Sequence, residues 1–305
     1  MAMITYSQLV EKSIFVENQL IGKKYINHPI QGRFKHYQKI ISLLRDNWEA
    51  NTMDKFWIAF KMEDTGFALK ELFEITTILE QVLVIYDSIS KESKKYINEK
   101  LLTILSGPNF TIDETSKNSA ARNYQFELRL ASKMIEAQYK KISFAEHPDL
   151  LIEEKMRPYS FECKRILGNP ERKIPSNIVE AIHQLENYKK GNYAGIVAVD
   201  LSPQFEQGKN WLKSKSREEA NKFTLNQIES VAWTVYNRVY KVKEAAERGY
   251  LVGILLNLST VYILTGNNEM GWIQEMGILI LNKENPDKGL HFSEDFNNLQ
   301  KYTKL

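Results

Sequence analysis

A chain of 305 residues that is 43% hydrophobic carries enough apolar side chain for one large core or two modest ones, which excludes a disordered or fibrous protein. Its formal net charge of +3 gives no general attraction to nucleic acid, so any such binding must come from a local site. One cysteine, Cys163, excludes both an internal disulfide and a zinc centre built on cysteines, and it suits a reducing, cytoplasmic setting.

Glu11 and Lys12 fall where a signal peptide would keep its apolar stretch, so no secretion signal is expected. The most apolar segment, residues 250–264, is interrupted by Asn257, Ser259 and Thr260. It is also shorter than the roughly 20 residues of a bilayer-crossing helix. It reads as buried strand, and no membrane partner is expected. Charge is spread unevenly: residues 1–115 hold 14 Lys+Arg against 15 Asp+Glu, and the remainder 27 against 23, a slight bias toward anions in the C-terminal part.

In chain order, residues 1–115 repeat apolar positions at intervals of three and four, as in Phe67, Leu69, Leu72, Phe73, Ile75, Ile78, Leu79, Val82 and Leu83. This predicts an all-helical N-terminal domain of four or five helices, broken at Asn27-His28-Pro29, Glu63-Asp64-Thr65-Gly66 and 90–93. Gly107-Pro108-Asn109 stops the pattern, and 107–118 is the expected junction with a second domain over 116–305.

Beyond the junction the period changes. Residues 121–139 predict an amphipathic helix, 142–145 a short extended run, 150–152 a strand, 153–158 a polar bend and 159–165 an alternating strand. A helix over 174–190 ends at Gly191-Asn192, and 194–201, dense in apolar and β-branched residues, predicts a buried strand. A loop over 204–215, one long helix over 218–248 and strands at 251–258, 261–264 and 278–281 complete the chain. The fold class is therefore α+β, with the order helix, three strands, helix, strand at the heart of the second domain.

Four Glu-x-Lys triplets occur, at Glu92/Lys94, Glu153/Lys155, Glu162/Lys164 and Glu171/Lys173, so the triplet alone carries no information. Only Glu162/Lys164 lies in an expected strand. Alternation there sends Phe161 and Cys163 to one face and Glu162 and Lys164 to the other. If Ile152 pairs with about Ser160, antiparallel register brings Asp149, which follows Pro148, opposite the 162–164 segment. Two carboxylates and an amine then converge, and a hard cation such as Mg²⁺ relieves the repulsion between the carboxylates.

Pro148-Asp149 followed by Glu162-Cys163-Lys164 resembles the PD-(D/E)xK signature of the restriction-endonuclease-like nuclease superfamily. The αβββαβ order is similar to that family's core with its mixed sheet. Gln184-Leu185-Glu186-Asn187-Tyr188 fits the Q-x-x-x-Y pattern of its RecB-type branch, and the spacing sets Gln184 and Tyr188 on one helical face. The resemblance covers about residues 120–201. It implies metal-dependent hydrolysis of a phosphodiester in DNA, with RNA not excluded, in a setting such as bacterial defence or restriction. Asp149, Glu162 and the backbone carbonyl of Cys163 would hold Mg²⁺, or Mn²⁺ in its place, and Glu127 would complete the metal site or hold a second ion. Lys164 would orient the attacking water, with Gln184 and Tyr188 positioning Lys164 or a backbone phosphate. The N-terminal helices carry no motif and are assigned to a partner protein, a homodimer interface or a cover for the site.

Simpler readings accompany these. Cys163, directed beside Phe161, is expected to pack rather than react, and His147 and His183 stay outside the catalytic set. Arg238, Lys241 and Arg248 share a helical face that reads as solvated because Glu244 and Glu247 interleave with it. A catalytically idle nuclease fold that binds nucleic acid or a partner is the chief alternative.

Overall fold

In the computed structural model, the described residues are 5–281 without 24, 27–29, 88, 110–112, 115–118, 138, 140, 146–147, 154–157, 189–192, 207–211 and 266–269. Parts of the Asn27-His28-Pro29 break, the 107–118 junction, the 153–158 bend and the 204–215 loop, together with Gly191-Asn192 and His147, lie outside them.

The chain divides into two compact units. The first comprises Met1–Ser132, Trp211–Lys213 and Val261–Trp272; the second comprises Lys133–Asn210, Ser214–Thr260 and Ile273–Leu305. Five helices open the first: α1 (Tyr6–Gly22), α2 (Arg33–Glu49), α3 (Met53–Ala59), α4 (Met62–Ile85) and α5 (Lys91–Ser106). Capping sets their starts. Thr5 and Gln8 form a reciprocal capping box before α1, and Ser90 accepts from the Ser93 N–H at 3.1 Å before α5. Gly32 has φ +80° and lies so close to α5 that a Cβ there would meet Ser106 Cα at 2.8 Å, which leaves no side chain an option.

α6 (Ala120–Glu136) is the expected amphipathic helix, but as far as Ser132 it belongs with the N-terminal helices rather than opening the second unit. The cause is a set of buried charges. Arg129 pairs with Glu74 of α4 at 2.8 Å, and Arg122 lies 3.5 Å from Glu71, which Arg33 of α2 also meets at 3.2 Å. Sequence periodicity takes such residues for solvent-facing ones.

The strands form a mixed sheet, of which β1 to β4 and most of β6 and β7 belong to the second unit. They are β1 (Ile142–Phe144), β2 (Leu150–Ile152), β3 (Tyr159–Arg165), β4 (Ala194–Asp200), β5 (Leu212–Ser214), β6 (Leu251–Leu264) and β7 (Met270–Ile280). They run in the order β1-β2-β3-β4-β6-β5, with β7 paired to β6. β1, β2 and β3 are antiparallel neighbours, whereas β3, β4 and β6 are parallel. Every residue of β4 is buried, as befits a central strand. Between the strands come α7 (Pro170–Asn187), α8 (Pro203–Glu206), α9 (Arg217–Arg238) and α10 (Tyr240–Glu247). Ile178 and Ile182 of α7, Val197 and Val199 of β4, Ile254 and Leu256 of β6 and Val242 of α10 share one core.

Several expectations need correction. α7 begins at Pro170, four residues before the expected start at 174, so Glu171 and Lys173 lie in its first turns. Asn169 caps it by accepting from the Glu171 N–H at 3.0 Å, and a proline at the first helical position costs no hydrogen bond. The expected helix 218–248 is two helices, because Val239 takes φ −100° and ψ 87° while staying buried. Neither Pro nor Gly marks that break. The strands expected at 251–258 and 261–264 are one, β6, since buried Ser259 is accommodated by donating its N–H to Ser202 Oγ at 2.8 Å. β7 starts at Met270 rather than 278, and the expected loop 204–215 holds the end of α8 and the whole of β5, elements too short to show a period.

Candidate functional site

The second and third strands fix the geometry. β2 and β3 pair Leu150 with Phe161, Leu151 with Ser160 and Ile152 with Tyr159, one residue away from the expected Ile152–Ser160 match. The ladder continued by one step sets Asp149 opposite Glu162. The Cys163 N–H donates to Asp149 Oδ2 at 2.8 Å, which orients a carboxylate that is itself buried. Glu162 is only 1% exposed, and Lys164 Nζ lies 3.5 Å from its Oε1. Cys163, on the opposite face of β3, is half-buried rather than enclosed in the core as expected.

Glu162 carries the electrostatic signature of the site. Burial, first, and the charge of Asp149, second, push its carboxyl up to about 8; Lys164 pulls it down incompletely, and Glu180 adds to the rise. A proton at neutral pH is one way to relieve two neighbouring carboxylates. A cation is the other.

α7 runs back along β3 and supplies the remaining groups. Glu180 Oε1 accepts from Lys164 Nζ at 3.0 Å, and Tyr188, at the end of α7, lines a cleft together with Ser160. Four helical residues advance about 6 Å, and two strand residues about 6.7 Å. Counted from the Glu180–Lys164 contact, one helical turn and one strand step therefore bring Gln184 level with Glu162, and a second turn and step lead to Tyr188 and Ser160 at the cleft. Gln184 Oε1 is buried. Tyr188 is thus a rung beyond Glu162 and two from Lys164, and its ring lies edge-on to Tyr193 with centroids 5.9 Å apart. Glu180 was missed in the sequence, although extending the 184/188 stripe back by one turn points to it.

Asp149, Glu162 and Lys164 are brought together, with Gln184 placed against them by register. Glu127 belongs to the first unit, where Lys100 forms a buried ion pair with it. Its assignment as a metal ligand has no support in that pairing. Among the described residues no group of three or more His, Cys, Asp or Glu side chains is placed to hold a metal ion. What remains is a two-carboxylate site with the Cys163 backbone beside it. That donor set fits Mg²⁺, which commonly takes one or two carboxylates and fills its octahedron with water and substrate oxygens.

Of the basic residues expected on one helical face, Arg238 ends α9, across the Val239 break from Lys241 and Arg248, and those two are neutralised by neighbouring carboxylates. Arg248 meets Glu186 at 3.1 Å and Glu244 at 2.5 Å, and Lys241 meets Glu244 at 3.2 Å. His183 is exposed near Glu186. Among the described residues no helix is long and apolar enough to cross a membrane. Comparison with protein-family models, with curated proteins and with solved structures finds no match to this chain.

Proposed function

We propose that this protein is a divalent-metal-dependent nuclease that hydrolyses phosphodiester bonds of DNA. The observation that carries this reading is the juxtaposition of Asp149 with Glu162, whose carboxyl is raised to about 8, and with Lys164, 3.5 Å from Glu162. Asp149, Glu162 and the Cys163 carbonyl are the groups to hold Mg²⁺ or Mn²⁺. When bound, such an ion supplies charge stabilisation at the phosphate and a water of lowered pKa.

The chain's own residues do the rest. The Cys163 N–H fixes Asp149 through Oδ2, so one ligand is oriented before substrate arrives. Glu162 would hold the ion as its carboxylate, its proton passing to solvent. Lys164 donates from Nζ to the attacking water and to a non-bridging phosphate oxygen, and Glu180 holds that ammonium in place from α7. Gln184 positions the reacting groups from the rung opposite Glu162. A role in bacterial defence or restriction accords with this chemistry.

A second reading has one observation in its favour: Lys164 is engaged by both Glu162 and Glu180, as a purely structural lysine would be. An idle nuclease fold that binds nucleic acid or a partner fits this. Incubation with linear, circular and single-stranded DNA, and with RNA, in Mg²⁺, Mn²⁺ or EDTA separates the two. Metal-dependent cleavage lost in Lys164→Ala is the expected result, and no cleavage of any substrate in either metal would favour the idle protein.

A further inference from the structure

Next to the carboxylates, the α7 face of the sheet opens into a cleft of about 370 Å³ whose walls include Ser160, Tyr188, Tyr193, Tyr250, Glu186 and Arg248. We propose that this cleft receives one unpaired nucleobase of the substrate strand, so that the protein engages single-stranded DNA or frayed ends in preference to intact duplex. The inference rests on the nuclease reading and names the form of its substrate.

Position comes first. Side chains two apart on a strand share a face about 7 Å from one another, so Ser160 sets the cleft one step along β3 from Glu162. Tyr188 does the same on α7, one turn beyond Gln184. A strand whose phosphate sits at Asp149 and Glu162 therefore has a neighbouring base within reach of the cleft.

The lining then selects the ligand. Tyr188 and Tyr193 form an edge-to-face pair with planes at 64°, and Tyr250 adds a third ring, so a flat ligand finds aromatic walls to stack on. The Tyr250 hydroxyl is buried and has no hydrogen-bond partner among the described residues. A buried phenol usually finds one, and a base edge, which carries both donors and acceptors, supplies it. Gly195 holds this tyrosine in place: its N–H donates to the Tyr250 carbonyl at 2.8 Å, and a Cβ there would meet that oxygen at 2.6 Å.

Charge argues against a phosphate in the same cleft. Arg248 is matched by Glu186 and Glu244, and the Tyr193 hydroxyl donates to Glu153 at 3.4 Å, so the walls are acidic or neutralised. A neutral, planar, hydrogen-bonding group suits them; an anionic phosphodiester does not. A base within a duplex stack is not available, and extruding it costs unpairing energy, hence the preference for single strands.

The test uses the full chain in EDTA, where binding is read without cleavage. The probes are a single-stranded oligonucleotide carrying 2-aminopurine and the same oligonucleotide made abasic at that position. Quenching of the 2-aminopurine and about tenfold tighter binding than the abasic strand are expected. Tyr193→Leu should erase that difference, and Tyr193→Phe, which keeps the ring, should retain it. Equal affinity for the two probes, no binding, or a Tyr193→Leu protein that discriminates like the wild type would overturn the inference. A cleavage assay in Mg²⁺ separates it from the parent reading. Cleavage with no dependence on the base leaves the nuclease and removes the base cleft; base binding with no cleavage does the reverse.

Discussion

Glu162 makes one contribution to stability that depends on pH. Its carboxyl titrates near 8 in the folded chain against an ordinary 4.5, so between those values the folded state holds a proton that the unfolded state has released. Stability contributed by this residue is therefore greatest at low pH, falls as pH rises from about 4.5 through about 8, and is flat beyond, a loss on the order of a few kcal/mol. Glu162→Gln should flatten this profile, raising stability above pH 8 in metal-free buffer, as urea melts at pH 5, 7 and 9 will show. Mg²⁺ should raise the wild-type melting temperature at pH 9 and leave that of Glu162→Gln unmoved, because a ligand that binds only the folded state stabilises it. At the same scale, Lys164→Ala should abolish cleavage with little change in circular dichroism, since only its partly exposed ammonium is lost. Cys163→Ala should retain activity, the backbone rather than the thiol being the proposed ligand.

Among the elements, α7 and β3 act as a matched pair whose rungs coincide because four helical residues and two strand residues cover nearly the same distance. Gln184→Ala should lower the cleavage rate by roughly one to three orders of magnitude without releasing metal, the range expected when a reacting group is misplaced rather than removed. A rate unchanged in single-turnover assays would take Gln184 out of the site. Much of this pair was legible: Pro148-Asp149 and the alternation of 159–165 lead to Asp149 opposite the 162–164 segment, and the observed register, one residue off, singles out Glu162. Glu180 was not read, although it lies one turn before Gln184 on the same stripe, because an exposed glutamate stands out only once its partner Lys164 is placed. Nor was the break at Val239, whose apolar spacing to Val235 and Val242 runs through it as though the helix were continuous. β7 was foreshortened for a related reason: its early residues, Gly271-Trp272-Ile273-Gln274-Glu275, mix polar and apolar types without strict alternation, although Ile273 is buried and the strand pairs with β6.

At the scale of the whole molecule, the N-terminal unit is organised by charges inside it. Arg33 is fully buried and its pKa is lowered, by burial first and by Arg122 second, while Glu71 holds it at 3.2 Å. Removing one partner of a buried pair leaves an uncompensated ion, so Glu71→Ala should cost about 3–5 kcal/mol in urea denaturation. Exposed Lys12–Glu80, at 2.7 Å, should be worth under about 1 kcal/mol. Composition and periodicity could place helices in this region but not reveal these pairs, whose members are separated by tens of residues, Arg33 from Glu71 and Glu74 from Arg129 among them.

The units are not successive stretches of chain. The first takes Trp211–Lys213 and Val261–Trp272 from the C-terminal half, and in it Trp272 lies against Phe73 with ring centroids 5.0 Å apart. A gene fragment beginning at codon 133 would encode Trp272 without Phe73, and one ending at 132 the converse. Deletion mapping at that boundary would therefore score misfolding as loss of activity, and assigning the chemistry to one half calls for point substitutions in the intact chain.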